Sequence, residues 1–168
     1  LIVAQVRLRA GDLESARKMV DSMLRACAEN GAYEAEVLHF DSYLCWKEMG
    51  PEAAIERVKE SLPKLSIIHR GGVHPGRARL MNLAGCLFDE VERYEESLQY
   101  FLGAHKEDPG EVIYVNNIVE LYHKTQEHEL SKQWAQRAIE LGSESEIVRK
   151  VRGTVSSNAV RRSSGHSE

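Results

Sequence analysis

Residues 81–109 read MNLAGCLFDEVERYEESLQYFLGAHKEDP, and this stretch decides the fold. The unit that contains it, 78–111, lies over 112–145 without a gap. Leu87 falls on Leu121, Phe88 on Tyr122, Ser97 on Ser131, Ala104 on Ala138 and Asn82 on Asn116. A period of 34 residues suits two helices of about 12–14 residues joined by two short turns. One such helical hairpin cannot bury its apolar side alone, so neighbouring hairpins stack.

Working outward, helical spacing continues towards both ends. Leu13, Ala16, Val20, Met23, Leu24 and Cys27 recur at intervals of three and four. Asp12 precedes that run and is placed to cap free backbone N–H groups, and Glu29-Asn30-Gly31 closes it. Val37, Phe40 and Leu44, joined by Tyr33, predict a second helix ending at Met49-Gly50. Pro51 opens a third at the position where its missing N–H costs nothing; this helix buries Ala54, Ile55, Val58 and Leu62 and stops near Pro63. Residues 64–77, with three glycines and Pro75, have a loop composition. Helical runs return from Arg77 to Leu141, with breaks near Glu92-Arg93, Asp108-Pro109-Gly110 and Thr125-Gln126. Ser143-Glu144-Ser145-Glu146 offers a capping box for a short last helix carrying Ile147, Val148 and Val151. No stretch alternates cleanly between apolar and polar, so no sheet is predicted.

The better unit resembles the tetratricopeptide repeat (TPR). Ala84-Gly85, Phe88, Tyr94, Phe101, Ala104 and Pro109 stand at that family's positions for small residues, aromatics and a terminal proline, with Ser97 in place of the usual Ala. The second unit departs from the pattern: Val119 replaces the Gly, Ala135 the aromatic and Ser143 the Pro. Gly11–Ala16 and Met49–Ala54 look like the same turn in two earlier units, the latter with one residue inserted; the register of residues 31–63 stays open. The resemblance implies an all-α, right-handed α-solenoid of antiparallel helix pairs, about four pairs with room for a capping helix. Residues 1–152 form this domain and 153–168 a disordered or frayed Ser/Arg-rich tail.

Composition narrows the function. The chain of 168 residues has 22 Lys+Arg against 26 Asp+Glu, a net charge of -4, which argues against a nucleic-acid binder. Three scattered cysteines, Cys27, Cys45 and Cys86, do not make a disulfide scaffold and suggest a reducing, cytoplasmic setting. The apolar start Leu1-Ile2-Val3-Ala4 is broken by Gln5, Arg7 and Arg9, well short of the roughly 20 residues of a membrane span. Because the first residue is Leu and not Met, we read the chain as a piece of a longer polypeptide.

No phosphate-loop, dinucleotide, zinc-protease or nucleophile-elbow motif is present, so no enzyme, cofactor or small-molecule substrate is expected. His69 and His74 share a Gly-rich loop but lack the further ligands a metal needs, and no metal is expected. His69, Arg70, Arg77 and Arg79 make a basic patch that loop solubility explains equally well. His123 and His128 straddle a turn, and Cys45 beside Trp46 reads as core. Arg161-Arg162-Ser163-Ser164 has the form of a basophilic kinase site at Ser164, and a solvated tail explains the same residues.

The resemblance implies a protein partner held on the concave side, which the first helix of each pair lines. Its inward positions would be Arg79, Asn82, Leu83, Cys86, Asp89 and Glu90, then Ile113, Asn116, Asn117, Glu120, His123 and Lys124. Asn82 and Asn116 could hydrogen-bond an extended peptide backbone, or be exposed polar residues without a role. A carboxylate clamp of the chaperone-receptor kind is not expected, since only Asn117 fits it. The leading function is a non-catalytic interaction scaffold within a multisubunit assembly; the alternative is a helical regulatory or docking domain of a larger enzyme.

Overall fold

The computed structural model describes residues 1–30, 34–65 and 75–153. Tyr33, His69, Arg70, His74, Ser164 and the tail beyond residue 153 lie outside the described residues. The elements are α1 (Ile2–Arg9), α2 (Leu13–Asn30), α3 (Ala35–Met49), α4 (Pro51–Ser61), a 3-10 turn (Leu62–Lys64), α5 (Pro75–Glu90), α6 (Tyr94–Glu107), α7 (Val112–Lys124) and α8 (His128–Glu140). A further helix, α9, covers 146–153. Among the described residues there is no strand. The chain divides into two compact units, Leu1–Asp108 and a second that begins at Pro109.

In the first unit three antiparallel hairpins stack. Within each, helix A (α1, α3, α5) packs on helix B (α2, α4, α6); α2 also packs on α3, and α5 on both α3 and α4. The small residues explain the close approach. Ala16 and Ala54, both fully buried, occupy one position of helix B in successive hairpins, and Ser97 occupies it in the third. Ser97 Oγ donates to the carbonyl of Gly85 at 2.8 Å. In the second unit the same bond recurs: Ser131 Oγ donates to Val119 O at 3.1 Å. Both donor and acceptor have moved by one full repeat period.

These positions settle the register of residues 31–63. The intervals from Ala16 to Ala54 and from Ala54 to Ser97 are both longer than the period, the second more so. The first excess is one extra turn of helix: α2 has 18 residues where α6 has 14. The second falls between Ser61 and Pro75. The turn at Gly50-Pro51 differs by one residue: the left-handed Gly50 stands four residues before Ala54, whereas Gly11, Glu92 and Gln126 stand five before Ala16, Ser97 and Ser131. The α5–α6 and α7–α8 turns repeat each other. Arg93 N–H donates to Phe88 O at 2.9 Å, and one period on Glu127 N–H donates to Tyr122 O at 2.8 Å. Glu92 and Gln126 carry the left-handed backbone (φ 60° and 65°) that closes such a helix end.

Two departures from the repeat pattern turn out to be one. A Cβ on Gly85 would stand 2.5 Å from the Phe101 ring, so that ring needs the glycine. In the second unit Val119 and Ala135 stand at these two positions, packed in one cluster with Ala138, Val148 and Val151. The larger residue has changed helix.

The sequence reading is corrected in two places. Helix α5 starts at Pro75, not Arg77, because proline suits the first helical turn. The capping box does not form: Ser143 Oγ accepts from Ser145 N–H at 3.2 Å and α9 starts after Ser145, where Val148 and Val151 cover the α7–α8 pair as expected. Asp12 does cap α2, its Oδ1 accepting from Ser15 N–H at 3.1 Å.

A charged cluster ties the first two hairpins together. Asp41, 1% exposed on α3, accepts from Arg17 Nη1 of α2 and from Arg57 Nη1 of α4 at 3.3 Å. Arg17 also grips Glu48, with Nη2 to Oε2 at 2.6 Å. Burial alone would weaken the Arg17 charge, but its hydrogen bonds to Glu48 and Asp41 outweigh this and raise its pKa. Ser61 is the opposite case: its buried Oγ has no hydrogen-bond partner among the described residues. The same helix-B position holds Ala104 and Ala138, both fully buried. Ser61→Ala is therefore expected to stabilise the protein by about 1 kcal/mol in urea unfolding, since it removes an unpaired hydroxyl.

Candidate partner-binding surface

The A helices spend one face on packing and leave another to solvent. On α5, Leu80, Leu83, Ala84 and Leu87 turn into the core. Leu83, expected on the inward row, is 7% exposed and belongs to that core, because one turn of helix cannot present adjacent residues to the same side. Asn82 and Asp89 are half-buried beside it, and Arg79, Cys86 and Glu90 are exposed. Arg79 does not stand free: its Nη2 donates to Glu36 Oε1 of α3 at 2.5 Å.

In the second unit α7 buries Tyr114, Val115, Ile118, Val119 and Leu121. The other side carries exposed Ile113, Glu120 and Lys124, with Asn116, Asn117 and His123 half-buried. Asn116 is partly committed inside the chain, its Oδ1 accepting from Ser143 Oγ at 2.7 Å. Across the α7–α8 turn the His123 and His128 rings lie 6.3 Å apart. Among the described residues, no group of three or more His, Cys, Asp or Glu side chains is placed to hold a metal ion. Cys45 is buried, and burial pushes its thiol pKa up, the reverse of what a nucleophile needs.

The sequence reading missed the face of α1 and α3. Once the register is fixed, His39, Tyr43 and Lys47 of α3 stand where Asn82, Cys86 and Glu90 stand on α5. They and Phe40 form one wall of a cleft of about 640 Å³, and Gln5, Leu8, Arg9, Gly11 and Leu13 form the other. Tyr43 and Trp46 meet edge to face at 5.5 Å, and Lys47 Nζ lies 3.7 Å above the Trp46 ring. The signal was present as the i, i+4, i+8 series His39, Tyr43, Lys47, but only a known register gives it a direction.

His39 is half-buried on this wall, and its pKa lies below the usual imidazole range. Burial is the main cause and the Arg79 charge adds to it, while Glu36 opposes. The folded chain thus resists a proton that the unfolded chain accepts at about pH 6.5. Stability from His39 is full above that pH and falls as pH drops from there towards the folded pKa. Guanidinium unfolding between about pH 7.5 and 5.5 is expected to show this slope, and His39→Gln to reduce it.

No protein-family model matches the sequence. No curated protein matches it either. Solved structures do match. The chain is similar to the APC/C hetero-tetramer Cut9–Hcn1 (TM-score 0.69, 10% identity), with 89% of this chain covered and 28% of that one. It is similar to PilF of Pseudomonas aeruginosa (TM-score 0.68, 15% identity), with 95% and 71% covered. It is also similar to YrrB, described as a TPR protein with an unusual peptide-binding site (TM-score 0.63, 15% identity), with 89% and 71% covered. At these identities the likeness speaks for the fold alone: an all-α, TPR-like array of helix pairs. The chain spans little more than a quarter of the Cut9–Hcn1 chain. Among the described residues no helix is long and apolar enough to cross a membrane.

Proposed function

We propose that this chain is a non-catalytic protein-interaction scaffold that holds a peptide segment or a subunit of a larger assembly on the solvent-facing sides of its A helices. The observation that carries this reading is the division of labour within those helices. Their apolar faces are consumed by packing, as with Leu80, Ala84 and Leu87 on α5 and Val115, Ile118 and Val119 on α7. Their remaining faces carry half-buried or exposed polar side chains: Asn82, Cys86 and Asp89 on one, Asn117, Glu120, His123 and Lys124 on the other. The likeness to YrrB and Cut9–Hcn1, one described by its peptide-binding site and the other as part of an assembly, supports the same reading.

Photo-crosslinking tests it. A benzophenone amino acid placed at Asn82 or Glu120 in the full-length protein, in its native cells, is expected to capture a partner. The same group at Gln133, exposed on α8, is expected to capture none. Capture from Gln133 alone, or from no position, contradicts the proposal.

A further inference from the structure

We propose that the α1–α3 cleft is a binding site for an acidic, extended peptide segment. The inference rests on the scaffold reading and deepens it, because it names a location and a chemistry. The cleft lies within the first unit and has the size of a ligand site, about 640 Å³ against roughly 300–1,000 Å³ for such sites in general. No Asp or Glu lines it, although the chain as a whole carries a net charge of -4. Its two charged side chains, Arg9 and Lys47, come from opposite walls and are both cationic. Among the described residues neither makes an ion pair. Arg17, Arg57, Arg77, Arg79 and Arg93, by contrast, all have carboxylate partners.

The site is also partly organised before any ligand arrives. Lys47 Nζ rests over the Trp46 ring at 3.7 Å and within 5.2 Å of the Tyr43 centroid, so its ammonium loses less freedom on meeting a carboxylate. Half-buried Tyr43 and buried Phe40 line the same cleft and give it an apolar floor. An acidic segment with one apolar side chain satisfies both features: carboxylates bridge Arg9 and Lys47, and the apolar group covers the floor. A neutral or basic segment leaves the two cations unused or opposed.

The test is fluorescence anisotropy on the full chain. The probe is a short labelled peptide of Glu and Asp with one central Phe; its Gln/Asn counterpart and its Lys counterpart are the controls. The acidic peptide is expected to bind in the micromolar range, at least about tenfold tighter than either control, and to weaken as salt is raised. Lys47→Glu and Arg9→Glu, both at exposed positions, are expected each to lower its affinity several-fold; Tyr43→Ala is expected to lower it without changing the salt dependence. Gln133→Ala, exposed on α8, is expected to leave it unchanged. Equal binding of the acidic and amide peptides, no binding of any, or an unaltered affinity in Lys47→Glu overturns the proposal. The two levels separate in the crosslinking experiment. A partner that is still captured at Asn82 after charge reversal at Arg9 and Lys47 removes the cleft assignment alone, whereas no capture from any helix-A position of the unaltered chain removes the scaffold reading.

Discussion

Phe101→Ala is expected to destabilise the protein by about 3–5 kcal/mol, the usual cost of emptying a buried aromatic site. Phe101 is 3% exposed, and its ring fills the space that Gly85 leaves open. Gly85→Val alone is expected to cost about 1–3 kcal/mol or more, because its Cβ would stand 2.5 Å from that ring and neither backbone can easily withdraw. The two changes together recreate the pair found one period later, Val119 with Ala135. The double variant is therefore expected to be more stable than the sum of the single losses by at least about 1 kcal/mol, measured as a coupling energy from urea unfolding. Some loss remains, since Val and Ala together are smaller than Phe and Gly. Additive losses would mean that the two positions do not share one packing site, and the equivalence of the hairpins would fail with them.

Arg17→Ala is the second large effect, expected near about 3 kcal/mol, because it leaves Asp41, with a side chain 2% exposed, inside the packed seam of α2, α3 and α4. The loss stays at the low end of the range for a broken buried pair because Arg57 Nη1 remains 3.3 Å from Asp41 Oδ2. The sites equivalent to Asp41 in the next two hairpins hold Ala84 and Ile118, both buried, so the seam itself has no need of a charge. Arg17→Met combined with Asp41→Leu is accordingly expected to recover most of the loss. Failure of the double variant to recover would show that the Arg17–Glu48 pair, not the buried carboxylate, sets the cost.

How far these features could be read in advance follows from what each residue is for. Ser97 and Ser131, or Ala104 and Ala138, are small because two helices cross there, so the repeat period was visible without coordinates. Val119 and Ala135 read as two flaws; only their place in one core cluster shows that one offsets the other. The first two hairpins were harder because an extra helical turn in α2, and an excess of residues between Ser61 and Pro75, break the period without disturbing the packing. That broken period hid the site most of all. Asn82, Asn116 and their neighbours were placed from the better repeats, whereas His39, Tyr43 and Lys47 had no assigned direction. Nothing local in the sequence tells that Asn116 is held by Ser143 or Arg79 by Glu36, since both bonds join separate parts of the chain.

Hydrogen–deuterium exchange on the full-length protein with its crosslink-identified partner tests the interaction surface most directly. Slower exchange along α1, α3, α5 and α7 on partner addition, with α2, α4, α6 and α8 little changed, is the expected result. Protection confined to the B helices, or none at all, would contradict a partner-holding face built from the A helices.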